Sequence, residues 1–243
     1  MSSPASPTSP LAAPEVPRVL PMLAYLLIPV LGASLVPHPD YWLYGVKVLV
    51  VSGLVWSLRA RLPELKLSFS WVAVLVGVLV AVLWEILPRY VPGLERLYQL
   101  ALHFTTGREL PPVKPADAWT PLTVFRDTPA LAYGFVVLRV LGRSLLVPLV
   151  EEVFYRSFVY RYIISPRFES IALATRHIPA WLATSAIFGL AHPDQWLAGF
   201  GCGLAYQWLV IRSGRLGDSI LAHAITNGLL SAWVIYEGTW DFS

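Results

Sequence analysis

The chain has 243 residues, 56% of them hydrophobic and only 14% charged, with a formal net charge of +3. Soluble domains carry nearer a quarter charged residues, so this composition excludes an ordinary soluble globular protein and indicates a polytopic membrane protein, as does a mean hydropathy of +0.60. The basic residues flank apolar segments, which reads as topology rather than a nucleic-acid surface, and the single cysteine, Cys202, excludes an intrachain disulfide and a CxxC metal knuckle.

Residues 1–17 are rich in Ser, Pro and Ala, with Glu15 the only charge, and are expected to form a disordered tail. No basic region precedes Arg18, so the first apolar segment is expected to stay as a helix rather than leave as a signal peptide. A spanning helix needs about 20 mostly apolar residues. Residues 19–36 are uncharged but hold Pro21 and Pro29, which predicts a kink. Residues 41–58 carry Lys47 alone, and residues 68–87 carry Glu85 alone. Residues 88–127 form a polar, proline-containing connection, with a short interfacial helix expected at 94–104. The long apolar stretch 129–164 is interrupted by Arg139, Arg143 and an acidic motif; it exceeds one straight span, and a bend is expected at Gly142 or Pro148, between a shorter helix and a tilted one. Residues 178–191 are short for a span unless the helix starts nearer Ile171, and residues 195–211 and 219–236 hold no Lys, Arg, Asp or Glu. The fold expected is an all-α transmembrane helix bundle of seven spans, with eight as the alternative, forming a single domain over 18–243.

Basic loops set the orientation. Arg59, Arg61 and Lys66 share one loop, Arg161, Arg167 and Arg176 a second, and Arg212 and Arg215 a third. Seven spans put all three on one side, expected to be cytoplasmic, and Arg18 places the N-terminus there too. The 88–127 connection then lies on the other side, with Arg89, Arg96, Arg108, Lys114 and Arg126 set against Glu95, Glu109, Asp117 and Asp127. Gly199 and Gly203, four apart, allow close helix approach, either inside the bundle or at a dimer face.

The chemistry is concentrated in three apolar segments. Glu151-Glu152-Val153-Phe154-Tyr155-Arg156 places two carboxylates and an arginine where charge is expensive and marks a partner or a function. Consecutive helical residues lie about 100° apart, so Glu151 and Glu152 point in different directions. Glu152 and Arg156, four apart, share a face. Arg156 then pairs with one carboxylate and leaves the other to act as a base. The plainer alternative is a charge cluster anchoring a helix end at the membrane surface. His192 follows Phe188 by one turn, and Pro193 and Asp194 are expected to end that helix; alone it reads as an interfacial histidine. His223 and Asn227 share a face of the last span; alone they read as an interhelical hydrogen-bonding pair. Three such groups in consecutive apolar segments favour one shared hydrolytic site.

The order EExxxR, FxxxH and HxxxN, carried by Glu151, Glu152 and Arg156, by Phe188 and His192, and by His223 and Asn227, resembles the CPBP intramembrane proteases. These include the Ras-converting CAAX prenyl endopeptidases and the bacterial Abi proteins. The run Val147-Pro148-Leu149-Val150 before the glutamates also looks like a bacterial CAAX-protease-related branch associated with exosortase protein sorting. The resemblance covers about residues 140–236, taken as the catalytic core. It implies hydrolysis of a peptide bond in the membrane, with Glu151 and His192 activating a water, His223 and Asn227 stabilising the oxyanion, and Arg156 orienting the glutamate pair. It implies no cofactor; the alternative is Zn²⁺ held by Glu151, His192 and His223, although no HExxH helix is present. The implied partners are a membrane-bound or membrane-anchored peptide and the lipid bilayer, and the implied location is a bacterial inner membrane. Two other functions fit intramembrane Glu and His. One is a non-proteolytic binding or immunity protein of the same fold. The other is a proton-coupled transporter, which the concentration of polar residues in the second half and the lack of paired repeats disfavour.

Overall fold

Proline marks where the helices of this chain begin. In the computed structural model, which describes residues 12–112 and 119–240, helices α1 (Val16–Gly32), α2 (Pro39–Leu58), α6 (Pro129–Ile164) and α7 (Ile178–Leu190) each carry a proline in their first two positions. There the missing N–H has no intrahelical partner to lose and the fixed φ is already helical. Helix α3 (Trp71–Ile86) starts instead on Ser70, whose side chain accepts from the Ala73 amide. Helix α4 (Leu94–Thr106) follows, then the single turn α5 (Pro121–Val124). Helices α8 (Trp196–Ser213) and α9 (Leu216–Glu237) are joined at Gly214, whose φ of +67° favours a residue without a Cβ. Among the described residues every regular element is helical.

Several expectations are corrected here. The tail was expected to run to residue 17, but α1 already begins at Val16, with Pro17 in its first turn, and it keeps Pro21 and Pro29 inside it. Residues 1–11 of that tail lie outside the described residues, as do Lys114 and Asp117 of the 88–127 connection. The stretch 129–164 does not divide into two helices. It forms one 36-residue helix that widens into π turns at Gly142–Leu146 and at Val153–Val159, on either side of an α-helical turn at Val147–Glu152. The two suspected bend residues explain the first widening. In a ladder of i→i−5 bonds the Arg143 carbonyl faces residue 148, and Pro148 has no N–H to give it. Asn227 Nδ2 of α9 donates to that carbonyl instead, at 3.0 Å.

Helix occupies each of the seven expected segments, but four helical stretches are long and apolar enough to cross a membrane: Pro39–Arg61, Trp71–Thr106, Pro129–Ile164 and Leu216–Glu237. Helix α1 has 17 residues and α7 only 13. At about 1.5 Å per residue α7 is roughly 20 Å long, short of the about 30 Å of hydrocarbon. It begins at Ile178, not nearer Ile171.

The bundle is inverted relative to a soluble domain. Leu31, Leu49 and Trp71 point outward at 72–76% exposure, while Glu152, Arg156, Gln207 and Ser219 are buried. This is the arrangement that lipid favours. Glycines set the closest approaches inside it. A Cβ on Gly203 would meet Ser185 Cα at 2.8 Å, and one on Gly199 would meet Gly189 Cα at 3.1 Å, so the Gly199–Gly203 face packs internally, α8 against α7. A Cβ on Gly77 would meet the Ala222 carbonyl at 2.5 Å, and Thr226 Oγ1 donates to the Gly77 carbonyl at 2.8 Å, fixing α3 against α9. The middle of α6, the end of α7 and the first half of α9 thereby surround a common space.

Candidate active site

The two adjacent glutamates have separate environments. Glu152 is fully buried. Its Oε2 lies 3.1 Å from Arg156 Nε, and its Oε1 lies 2.9 Å from His223 Nδ1. The Arg156 contact is a close ion pair without the alignment of a hydrogen bond, since Nε, Nη1 and Nη2 find no hydrogen-bond acceptor. The guanidinium packs instead against aromatic faces, 4.6 Å from the Phe188 ring centroid and 5.6 Å from that of Tyr206. Opposite charge within the pair compensates the burial that either group alone would make prohibitive.

Glu151 faces the other way, and its Oε2 accepts no hydrogen bond among the described residues. That oxygen lies 4.0 Å from His223 Nε2. A carboxylate accepts, so the His223 Nδ1 that bonds Glu152 carries a hydrogen, and Nε2 is the nitrogen turned towards Glu151. His192 is oriented in the same manner. It lies just beyond α7, its Nδ1 donates to the Phe188 carbonyl at 2.8 Å, and its ring stands edge-on to Trp84 with centroids 5.2 Å apart. That bond leaves the Nε2 lone pair of the neutral ring available.

Glu151, His192, His223 and Asn227 line one cavity of about 280 Å³. Glu152 and Arg156 stand behind its wall. Four of the six residues singled out in the sequence therefore meet at one space, and the other two support it. Asn227 has a structural bond as well, to the α6 carbonyl freed at Pro148. A larger cavity of about 430 Å³ adjoins this one, sharing Trp84 and Arg143 and adding Glu85, Arg89 and Glu237. The smaller one is the candidate site, because it alone holds the open carboxylate beside two imidazoles.

The cavity also holds residues that the motifs did not include: Tyr25, Tyr44, Lys47, Arg139, Arg143 and Tyr206. Tyr206 donates to Thr226 Oγ1 at 2.7 Å and stacks by the His223 ring, with centroids 5.1 Å apart. Lys47 had a signal in the sequence as the only charge in its apolar segment. Arg139 and Arg143 had one in their spacing, twelve and eight residues before Glu151 in steps of four. Tyr206 had none.

Among the described residues no three His, Cys, Asp or Glu side chains are grouped to hold a metal ion.

Residues 133–229 match the family model described as Rce1-like, type II CAAX prenyl endopeptidase. That segment contains all three motifs and excludes α1 to α4. No curated protein and no solved structure matches the chain.

Proposed function

For a membrane protein whose residues 133–229 are an Rce1-like domain, we propose the activity of an intramembrane endopeptidase that hydrolyses a peptide bond of a membrane-associated protein or peptide. The observation that carries this reading is the division of labour between the glutamates. Glu152 is neutralised by Arg156 and His223, while Glu151 keeps a free acceptor oxygen in a cavity shared with His192.

In this mechanism a water sits between the Glu151 carboxylate and His192 Nε2. Glu151 takes one of its protons as the oxygen adds to the peptide carbonyl, and His192 holds the other by accepting a hydrogen bond. The carbonyl oxygen becomes an oxyanion. Asn227, by the amide hydrogen not given to Arg143, and His223, as an imidazolium donating from Nε2, stabilise it. Glu151 then returns its proton to the departing amine as the C–N bond breaks. Arg156 acts through Glu152, which fixes the His223 ring. No metal takes part; the activity of purified protein is expected to survive a strong chelator, and stoichiometric zinc lost and restored together with activity would contradict this.

The membrane placement that accompanies this reading has α1, α2, α3, α6, α7, α8 and α9 in a bacterial inner membrane, with the N-terminus and the connections that follow α2, α6 and α8 on the cytoplasmic side. A reporter fused near Arg61 is expected to report the cytoplasm; a periplasmic signal there reverses the orientation. Proteomic comparison of membranes carrying the wild type or Glu151→Gln identifies the substrate. New peptide termini are expected with the wild type only. The same termini in both membranes, or in neither, would overturn the peptidase reading.

A further inference from the structure

A separate cavity, of about 170 Å³, lies at the end of the bundle away from the 88–127 connection, between the start of α3 and the α8–α9 turn. Its lining includes Ser70, Leu209, Arg212, Ser213, Arg215 and Asp218. None of these residues belongs to the candidate active site.

The charges around this cavity do not cancel. Asp218 is buried, and both of its oxygens are engaged: Ser68 Oγ donates to Oδ1 at 2.6 Å and Arg215 Nη2 to Oδ2 at 3.0 Å. That carboxylate balances Arg215. Arg212 makes no ion pair among the described residues, and its guanidinium lies 5.3 Å from the ring centroid of Trp208, one turn earlier on α8. An aromatic face steadies a cation without neutralising it. Ser70 Oγ accepts from the Ala73 amide and donates to no acceptor among the described residues. The wall therefore offers an uncompensated guanidinium, the remaining donors of half-exposed Arg215 and a hydroxyl hydrogen, while its one carboxylate is already occupied. That set suits an anion with several acceptor oxygens, such as a phosphate.

The surroundings say what carries the anion. Phe69 and Trp71, on either side of Ser70, are largely exposed and form an edge-on pair with centroids 5.0 Å apart. Trp208 is exposed as well. Exposed tryptophans sit at the level of the lipid headgroups. The basic connections put this end of the bundle on the face assigned to the cytoplasm, where the membrane surface is anionic and basic pockets between helices accept anionic headgroups. A soluble anion gains nothing from an aromatic rim, whereas an amphiphile does.

We propose that Arg212, Arg215 and Ser70 bind the headgroup phosphate of an anionic phospholipid, with its acyl chains against the neighbouring exposed aromatics. The shared chemistry is a phosphate oxyanion, and free inorganic phosphate is the other source that could supply one. The inference does not depend on the peptidase reading. A lipid held here ties the start of α3 to the α8–α9 turn and stabilises the folded protein.

The test is lipid retention by full-length protein purified in detergent. The protein is titrated with short-chain phosphatidylglycerol or phosphatidylcholine, and bound lipid is counted by native mass spectrometry while Tm is followed. Both lipids carry the phosphodiester, but choline sets a cation against the arginines. Phosphatidylglycerol is expected to bind about tenfold more tightly and to raise Tm. Arg212→Gln should weaken its binding by about tenfold, a ratio that one charge-assisted hydrogen bond supports, and Arg212→Lys should lose less. Arg126→Gln removes the same charge from an exposed arginine of the 88–127 connection and should leave retention unchanged. Equal retention of the two lipids by the wild type overturns the proposal, whether or not Arg212→Gln folds. A preference that survives Arg212→Gln overturns it, and so does one that Arg126→Gln lowers as much, since net charge alone would then be at work. Inorganic phosphate is the last probe. It should leave Tm unchanged at concentrations where phosphatidylglycerol raises it; an equal rise would assign the cavity to a soluble anion and overturn the lipid assignment.

Discussion

Helix α6 carries two buried charge clusters, and they differ in one respect. The first is the group around Glu152 at the candidate site. The second lies at the C-terminal end of the same helix, where Arg18 of α1 grips Glu64 of the α2–α3 connection through Nε at 2.8 Å and Nη2 at 3.0 Å. Ser157 donates to the same Glu64 oxygen, and Arg161 reaches it at 3.5 Å while donating to Ser157 Oγ at 2.7 Å. Both Glu64 oxygens are engaged. This cluster is closed, and it ties α1 and the α2–α3 connection to α6. The Glu152 cluster is more deeply buried and equally ionic, but it stops one residue short of closure and leaves Glu151, which lines a cavity, with an Oε2 that accepts no hydrogen bond. Buried charge in a membrane bundle therefore does not mark a site by itself. An open acceptor beside oriented imidazoles does.

Breaking each cluster tests that distinction. Arg156→Ala should have the largest effect on stability, because it leaves a fully buried carboxylate without its cation; a loss of about 3–5 kcal/mol is expected, read as poor yield and a lower Tm in detergent. Glu64→Gln should destabilise by about 3 kcal/mol, at the low end of the same range, by leaving the buried Arg18 and Arg161 with only the exposed Glu169, 3.7 Å from Arg18 Nη1, as a counter-charge. Its residual folded fraction should keep full activity per molecule, since the closed cluster supplies no catalytic group. A selective loss of turnover there would merge the two clusters into one functional unit. Asn227→Ala should lower turnover by about 10²-fold, the effect of one oxyanion donor, with a smaller stability loss from the exposed Arg143 carbonyl; kcat and Tm measured together separate the two roles.

The smallest expected effect is on pH dependence. Burial raises the Glu64 pKa, but hydrogen bonds from Ser157 and Arg18 outweigh it and hold the carboxyl below the usual glutamate range. A depressed folded pKa contributes stability above the unfolded value of about 4.3, and that contribution disappears as pH falls through the lower folded value. Acid titration of Tm should show this component in the wild type and not in Glu64→Gln.

The sequence made the cluster at the candidate site legible and the closed one obscure. Glu152 and Arg156 are four apart, so their pairing is a local helical fact. That Glu152 would also take His223 was not readable, because that partner lies 71 residues away. The closed cluster joins Arg18, Glu64 and Ser157 across separations of 46 and 93 residues. In the sequence its arginines read only as topology signals, and Arg161, expected in a loop, is instead buried within α6. Proline and apolar patterning located the helices well. They could not show that Pro148 would be absorbed by a π turn and an asparagine from α9, because periodicity carries no record of a carbonyl satisfied from another helix.

The division between Glu151 and Glu152 is tested most directly by Glu151→Gln, assayed as purified protein for cleavage of its membrane substrate and for thermal unfolding in the same preparation. The substitution keeps the side chain's size, removes the base, and touches neither the Arg156 contact nor the His223 Nδ1 bond. Cleavage should be abolished with Tm nearly unchanged. Full cleavage by well-folded Glu151→Gln protein, or unfolding on the scale of Arg156→Ala, would contradict it.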